Sequence, residues 1–255
     1  VIVARHSLKN PYGEQADSVL EPGLIDLPLS AFTSRELPAF QVPPGQLTEN
    51  GAQLMRLLGA YQRAHYGSLM QGLSCEEGYA FFADPREPRD VDSAKAFAEG
   101  LLLGSPCPAA GVVVNAGADS RRLIRLFRDQ PDALDAKTGC GVPGAEALAA
   151  LLRLGDSEGA AERLRVYKRQ LSLIQDLTSC CSQDACKGGQ GGLCTIFSLP
   201  TALASNVTWR ALGGPLGVAS AFAEIFAMQY CEGLEAGWGR LREEDMAELL
   251  SLLEP

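Results

Sequence analysis

His6 stands between two cations in the segment Arg5-His6-Ser7-Leu8-Lys9-Asn10-Pro11. A neutral imidazole can attack phosphorus and carry it as a phosphohistidine. Arg5 offers the bidentate fork that suits phosphate oxygens, and Lys9 offers a point charge. Phosphoryl transfer depends mostly on such positioning and charge compensation. Read alone, the His6 segment is no more than a basic cluster with an incidental histidine. Its place decides whether it is a site.

The surrounding elements give it a place. Residues 1–4 form a short apolar run that predicts a buried strand, so His6 follows a strand end, where α/β proteins put their ligands. Residues 10–46 are rich in Pro and Gly and predict a long loop that is functional or packed on itself. Thr48 is an N-cap candidate for a helix running to Tyr66, with Gly67 as its stop and Gly51, Leu54, Leu57, Leu58 and Tyr61 as its apolar spacing. Strands are expected over 79–83 and 111–114, with a helix over 91–102 between them. The block 120–178 reads as mostly helical, with clear spacing over 145–154 and 160–177. A cysteine-rich loop covers 180–194, and helices are expected over 214–233 and 243–253. Strand–loop–helix units flanking a helical block predict an α/β domain that carries a helical insertion.

The 255 residues are 46% hydrophobic, enough for a sizeable core. A formal charge of −9 argues against nucleic-acid binding, which needs a broad basic surface, and is explained by solubility. Focused arginines can still bind phosphate, because distant carboxylates are screened. No apolar run reaches the ~18 residues of a membrane span, so no membrane partner is expected. No signal peptide opens the chain, and the expectation is a removed leader or an incomplete start. Eight cysteines lack paired CxxC spacing and only two histidines exist, which speaks against a metal. Disulfides in an oxidising compartment and reduced buried thiols both fit that count. Asn206-Val207-Thr208 is a glycosylation sequon only in a eukaryotic chain.

Several segments, in order, resemble the histidine acid phosphatase family. Arg5-His6-Ser7-Leu8-Lys9-Asn10-Pro11 is similar to its Arg-His-Gly-x-Arg-x-Pro motif. Gly45-Gln46-Leu47-Thr48-Glu49-Asn50-Gly51 is similar to its Leu-Thr-x-x-Gly helix start. Arg89-Asp90-Val91-Asp92-Ser93-Ala94-Lys95-Ala96-Phe97 is similar to its Arg-Thr-x-x-Ser-Ala-x-Ala-Phe segment. Phe222-Ala223-Glu224-Ile225-Phe226 and Gly237-Trp238-Gly239 look like a later helix and turn of bacterial phytases and glucose-1-phosphatases.

The resemblance implies a phosphoglycerate-mutase-like α/β sandwich over 1–118 and 226–255, with a mainly helical insertion over 119–225. It implies a periplasmic or secreted phosphomonoesterase without cofactor, acting on sugar or inositol phosphates. His6 takes the nucleophile's position, and Arg5 and Arg89 take phosphate-binding positions. Lys9 replaces a second arginine, keeping the charge and losing the fork. The spacing to Ser93 favours Arg89 over Arg86. Glu224 falls where phytases place a carboxylate near the substrate; the alternatives are an ordinary exposed helix glutamate and a buried carboxylate paired with a base. Ser7 replaces a glycine. His65 lies away from every motif and reads as a packing or surface histidine. The family pairs Cys75 with Cys107 and Cys186 with Cys194, and gives Cys140 a partner in its C-terminal part. Cys180, Cys181 and Cys231 have no such guide, and a bond from Cys180 or Cys181 to Cys231 is open.

One departure is large. The family uses a late His-Asp pair to protonate the leaving group, a service worth ~10²–10⁴-fold, and no such pair occurs here. The expectation is a partial sequence lacking the last part of the sheet. A naturally shortened, catalytically impaired phosphate-binding protein is the alternative.

Overall fold

A computed structural model of the chain describes residues 2, 4–12, 28–73, 75, 78–84, 87–105, 107, 114–115, 162, 164–183, 185–186, 194–199 and 214–253. Its contacts divide it into two units, residues 1–10 with 40–126 and residues 11–39 with 127–255. Outside the described residues lie Arg86, Cys140, the helix expected over 145–154, most of the helical block that contains it, and the 206–208 sequon.

The first unit contains helix α1 (Glu49–Tyr66), strand β1 (Phe81–Phe82), helix α2 (Pro88–Leu102) and strand β2 (Val114–Asn115). The strands run parallel, with Phe81 opposite Val114 and Phe82 opposite Asn115, and α2 is the connection that parallel pairing requires. Thr48 caps α1 as its sequence predicts: its Oγ1 accepts the Gly51 N–H at 2.9 Å. The buried face of α1 agrees with the expected one at Gly51 and in part at Leu58, and departs from it elsewhere. Leu57 and Tyr61 are 64% and 61% exposed, and the inward positions are Gly51, Met55 and Gly59. The reason is the closeness of α2. A Cβ built at Gly59 would collide with the Phe97 carbonyl, and one at Gly100 with the Arg56 carbonyl, so the helices meet backbone to backbone. Around that crossing Met55, Ala96, Phe97 and Leu101 form a core joined by Leu58, Tyr79 and Phe81.

Helix α2 starts three residues before the expected Val91, because Pro88 takes the first helical position, where its missing N–H costs nothing. A Cys75–Cys107 disulfide brackets β1 and α2. The buried strand expected over 1–4 is not found among the described residues. Ile2 is 45% exposed and Ala4 belongs to no strand, while Val1 and Val3 lie outside the description. An apolar run is buried as a strand only when neighbours cover it, and the described sheet contains β1 and β2 alone.

The second unit contains α3 (Lys168–Thr178), α4 (Pro215–Cys231) and α5 (Glu243–Leu250). Helix α4 is buried almost all round, through Leu216, Val218, Phe222, Ile225 and Phe226, as a central core helix must be. Leu29 and Phe32 of a short 3-10 turn, Ile174, Ile196 and Leu249 complete this core. Part of the long 10–46 loop is therefore packed interior. The Gly-Trp-Gly turn closes on it: Trp238 donates its indole N–H to the Glu36 carbonyl at 2.8 Å and stands edge-on to Phe226. Cys186 is bonded to Cys194. Cys180 and Cys181 are bonded to each other and Cys231 is an exposed thiol, so neither of the former is bonded to Cys231.

Candidate active site

The His6 loop is held from two sides within the first unit. On one side, residues 8–10 lie along residues 45–48. Lys9 bridges antiparallel to Leu47, Asn10 donates its N–H to the Gln46 carbonyl at 2.9 Å, and Gly45 donates to the Asn10 carbonyl at 3.1 Å. Thr48 donates both its N–H, at 2.9 Å, and its Oγ1–H, at 3.3 Å, to the Leu8 carbonyl. Gly51 is needed there, because a Cβ would collide with that carbonyl oxygen. The helix cap and the loop anchor are thus the same residue, Thr48. On the other side, the Ser7 N–H donates to Ser93 Oγ of α2 at 3.3 Å.

These constraints gather an uncommon density of buried polar residues: Lys9, Asn10, Thr48, Asp84, Arg89 and Ser93. Buried lysines and arginines are rare in apolar surroundings and mark a site or a paired network. Lys9 is 3% exposed and Arg89 is 9% exposed, while Arg5 is open to solvent. Arg89 donates through Nη1 to the Glu87 carboxylate. Its Nε is buried and has no hydrogen-bond partner among the described residues. A guanidinium N–H left so is a donor suited to an incoming anion.

His6 is half-buried, and its Nδ1 lies 2.8 Å from the Ser7 carbonyl oxygen. A carbonyl only accepts, so Nδ1 carries the proton and Nε2 keeps a lone pair when the ring is neutral. The ring is kept neutral: its pKa falls from 6.5 to about 4, first through burial and then through the charges of Arg89, Lys9 and Arg5, against the Ser7 hydrogen bond. The structure therefore brings His6, Arg5, Lys9 and Arg89 into one electrostatic neighbourhood. Glu224 lies in the second unit, on α4, at 4% exposure, so it is a buried rather than an exposed helix glutamate. His65 stacks on Tyr61 at the end of α1, apart from this group.

Two residues had no role in the sequence reading. Asp90, in the first turn of α2, has its carboxyl pKa raised from 3.8 to about 6 by burial, with Arg89 and Arg5 opposing the rise and Glu87 and Asp84 adding to it. Ser93 was legible only as a motif letter, although its i, i+4 spacing from Arg89 puts both side chains on one helix face. Among the described residues no cluster of three or more His, Cys, Asp or Glu could hold a metal, and no helix is long and apolar enough to cross a membrane.

Known proteins share this arrangement of sequence. Residues 1–138 match the family model of the histidine phosphatase superfamily (branch 2). The chain is 28% identical over 258 residues to Phytase AppA of Escherichia coli (strain K12), covering 95% of this chain and 53% of that protein. Among solved structures, the phytase of Citrobacter braakii superposes with a TM-score of 0.63 at 26% identity, covering 89% of this chain and 55% of that one. The Hafnia alvei phytase in complex with myo-inositol hexakis sulphate gives 0.65 at 24% identity, over 88% and 53%, a likeness of fold. The chain thus spans about half the length of these relatives. With a family match over more than half its residues, this chain belongs to the histidine phosphatase superfamily, branch 2.

Proposed function

We propose that this chain hydrolyses phosphomonoesters through a phosphohistidine on His6. Nε2 attacks phosphorus, the N–P bond forms, the P–O bond to the leaving group breaks, and the departing oxygen takes a proton from solvent to leave as the alcohol. Water then attacks the phosphohistidine, releasing phosphate and restoring the imidazole. Arg5, Lys9 and Arg89 hold the phosphate oxygens. The observation that carries this reading is a neutral imidazole with its Nδ1 proton held by Ser7, beside a buried guanidinium whose Nε has no partner. Inositol and sugar phosphates are the substrate classes proposed. The phytase relatives, one of them solved with an inositol polysulphate, favour the former. Glu224 is proposed as a substrate-side carboxylate. The disulfides favour a periplasmic or secreted location. The division into a sandwich part over 1–118 and 226–255 and a helical insertion over 119–225 belongs to the same reading.

A second reading has its own observation. His6 is followed by serine and His65 by tyrosine, so the 255 residues contain no His-Asp pair to supply the proton of the leaving alcohol. A phosphate-binding role without turnover accounts for that. Incubation with p-nitrophenyl phosphate at pH 5 separates the two. Release of p-nitrophenol that falls at least 10³-fold in His6→Ala, a loss of about 4 kcal/mol of barrier lowering, supports hydrolysis. Phosphate binding seen by calorimetry with no release in the wild type supports the second reading.

A further inference from the structure

Ser93 is 3% exposed and leaves α2 one turn after Arg89, on the same face. Its Oγ accepts the Ser7 N–H at 3.3 Å, and the Ser7 carbonyl accepts the His6 Nδ1–H at 2.8 Å. The amide and the carbonyl of Ser7 are therefore both engaged, one by α2 and the other by the histidine ring. The Leu8 carbonyl, next along the chain, is held by Thr48. With the Ser7 amide and the Leu8 carbonyl pinned, the direction of the Ser7 carbonyl between them is fixed.

That direction matters because, among the described residues, the Ser7 carbonyl is the acceptor that faces a ring nitrogen of His6. Among the described residues, the charges that act on His6 are those of Arg89 on α2 and of Lys9 and Arg5 on its own loop, all cations. Cations disfavour a protonated imidazolium, yet they do not say which nitrogen of the neutral ring holds the proton. Only an acceptor aimed at one nitrogen does that, as partners of metal-bound histidines do. We propose that Ser93 is a positioning residue: by anchoring the Ser7 amide it aims the Ser7 carbonyl at His6 Nδ1, which reserves Nε2 for the phosphate. The role rests on the reading of His6 as the nucleophile, and it joins the nucleophile to the arginine helix through one hydroxyl.

The chain has two histidines, so nitrogen-15 labelling of histidine gives two resolvable rings. His65, stacked on Tyr61, is the internal reference. In the wild type the neutral His6 ring should be protonated mainly on Nδ1. Ser93→Ala should lower the Nδ1–H to Nε2–H ratio by about fivefold, the equivalent of one hydrogen bond, with the His65 signals unmoved. Ser93→Thr, which restores the hydroxyl, should bring the ratio back. Should Ser93→Ala fail to fold, Ser93→Cys keeps the shape with a poor acceptor and should lower the ratio in the same direction. An unchanged ratio in a folded Ala or Cys variant overturns the proposal, as does a wild-type His6 protonated on Nε2. Adding inorganic phosphate to the wild type tests the functional reading separately. His6 signals indifferent to millimolar phosphate would sink that reading, while the tautomer ratios still decide whether Ser93 aims the ring.

Discussion

The two ends of α2 solve opposite problems. Its C-terminal part buries Ala96, Phe97 and Leu101, so closely packed on α1 that Gly59 and Gly100 bring backbone against backbone. Its N-terminal part buries the polar Arg89 and Ser93, with a guanidinium Nε that has no partner among the described residues, and carries at Asp90 a carboxyl kept partly protonated at mild acidity. One end is filled by apolar packing, and the other keeps a buried donor without a partner among the described residues. In a single helix the difference teaches that burial alone does not separate structure from function. What separates them is whether the buried atoms already have partners.

The comparison breaks most sharply at the crossing. Gly100→Leu forces a side chain into the Arg56 backbone and should destabilise the chain by about 3 kcal/mol or more, read as a lower urea midpoint. Arg89→Ala should do the reverse. Stability should stay within about 1 kcal/mol, because its Glu87 partner is partly exposed, while phosphate affinity should fall ~10–100-fold in calorimetry. A large stability loss there would mean that Arg89 is a structural residue after all.

The smallest effect concerns pH. His6 has a folded pKa of about 4, below its ordinary 6.5, so its contribution to stability is present above pH 6.5 and is lost as pH falls through 4. Asp90 has a folded pKa of about 6, above its ordinary 3.8, so its contribution is present below pH 3.8 and is lost as pH rises through 6. Between about 4 and about 6 the imidazole is neutral and the carboxyl beside Arg89 carries little charge. The rate of phosphoenzyme formation should therefore be bell-shaped over that window. Asp90→Asn should extend the alkaline limb and leave the acid limb where it was, and an unchanged alkaline limb would remove Asp90 from the account.

Much of this was legible in the sequence where a residue's type speaks for itself. Thr48 announced the start of α1, and the Arg5-His6 pair announced a cationic loop with a nucleophile candidate. The inward face of α1 was legible only in part: Gly51 and Leu58 were read correctly, while Gly59 carries no hydrophobic signal and outranks Leu57 only because another backbone comes near. The start of α2 was missed because Pro88 reads as a breaker until its first-turn position is known. Asp90 and Ser93 look like ordinary helix polar residues. Their roles come from burial beside Arg89 and Ser7, which linear spacing does not reveal. The run at 1–4 is described only at Ile2 and Ala4, which belong to no strand, since an apolar pattern says nothing of whether neighbours cover it.

Gly51 has a consequence for mutational surveys of this protein. It offers a ligand no side chain, yet the atom it lacks is the one that would push Leu8 off Thr48. In a deep mutational scan scored by growth or turnover, position 51 would rank beside the nucleophile. Intolerance to substitution would then map the scaffold of the loop as faithfully as its chemistry, and only a separate measure of folded abundance would tell the two apart.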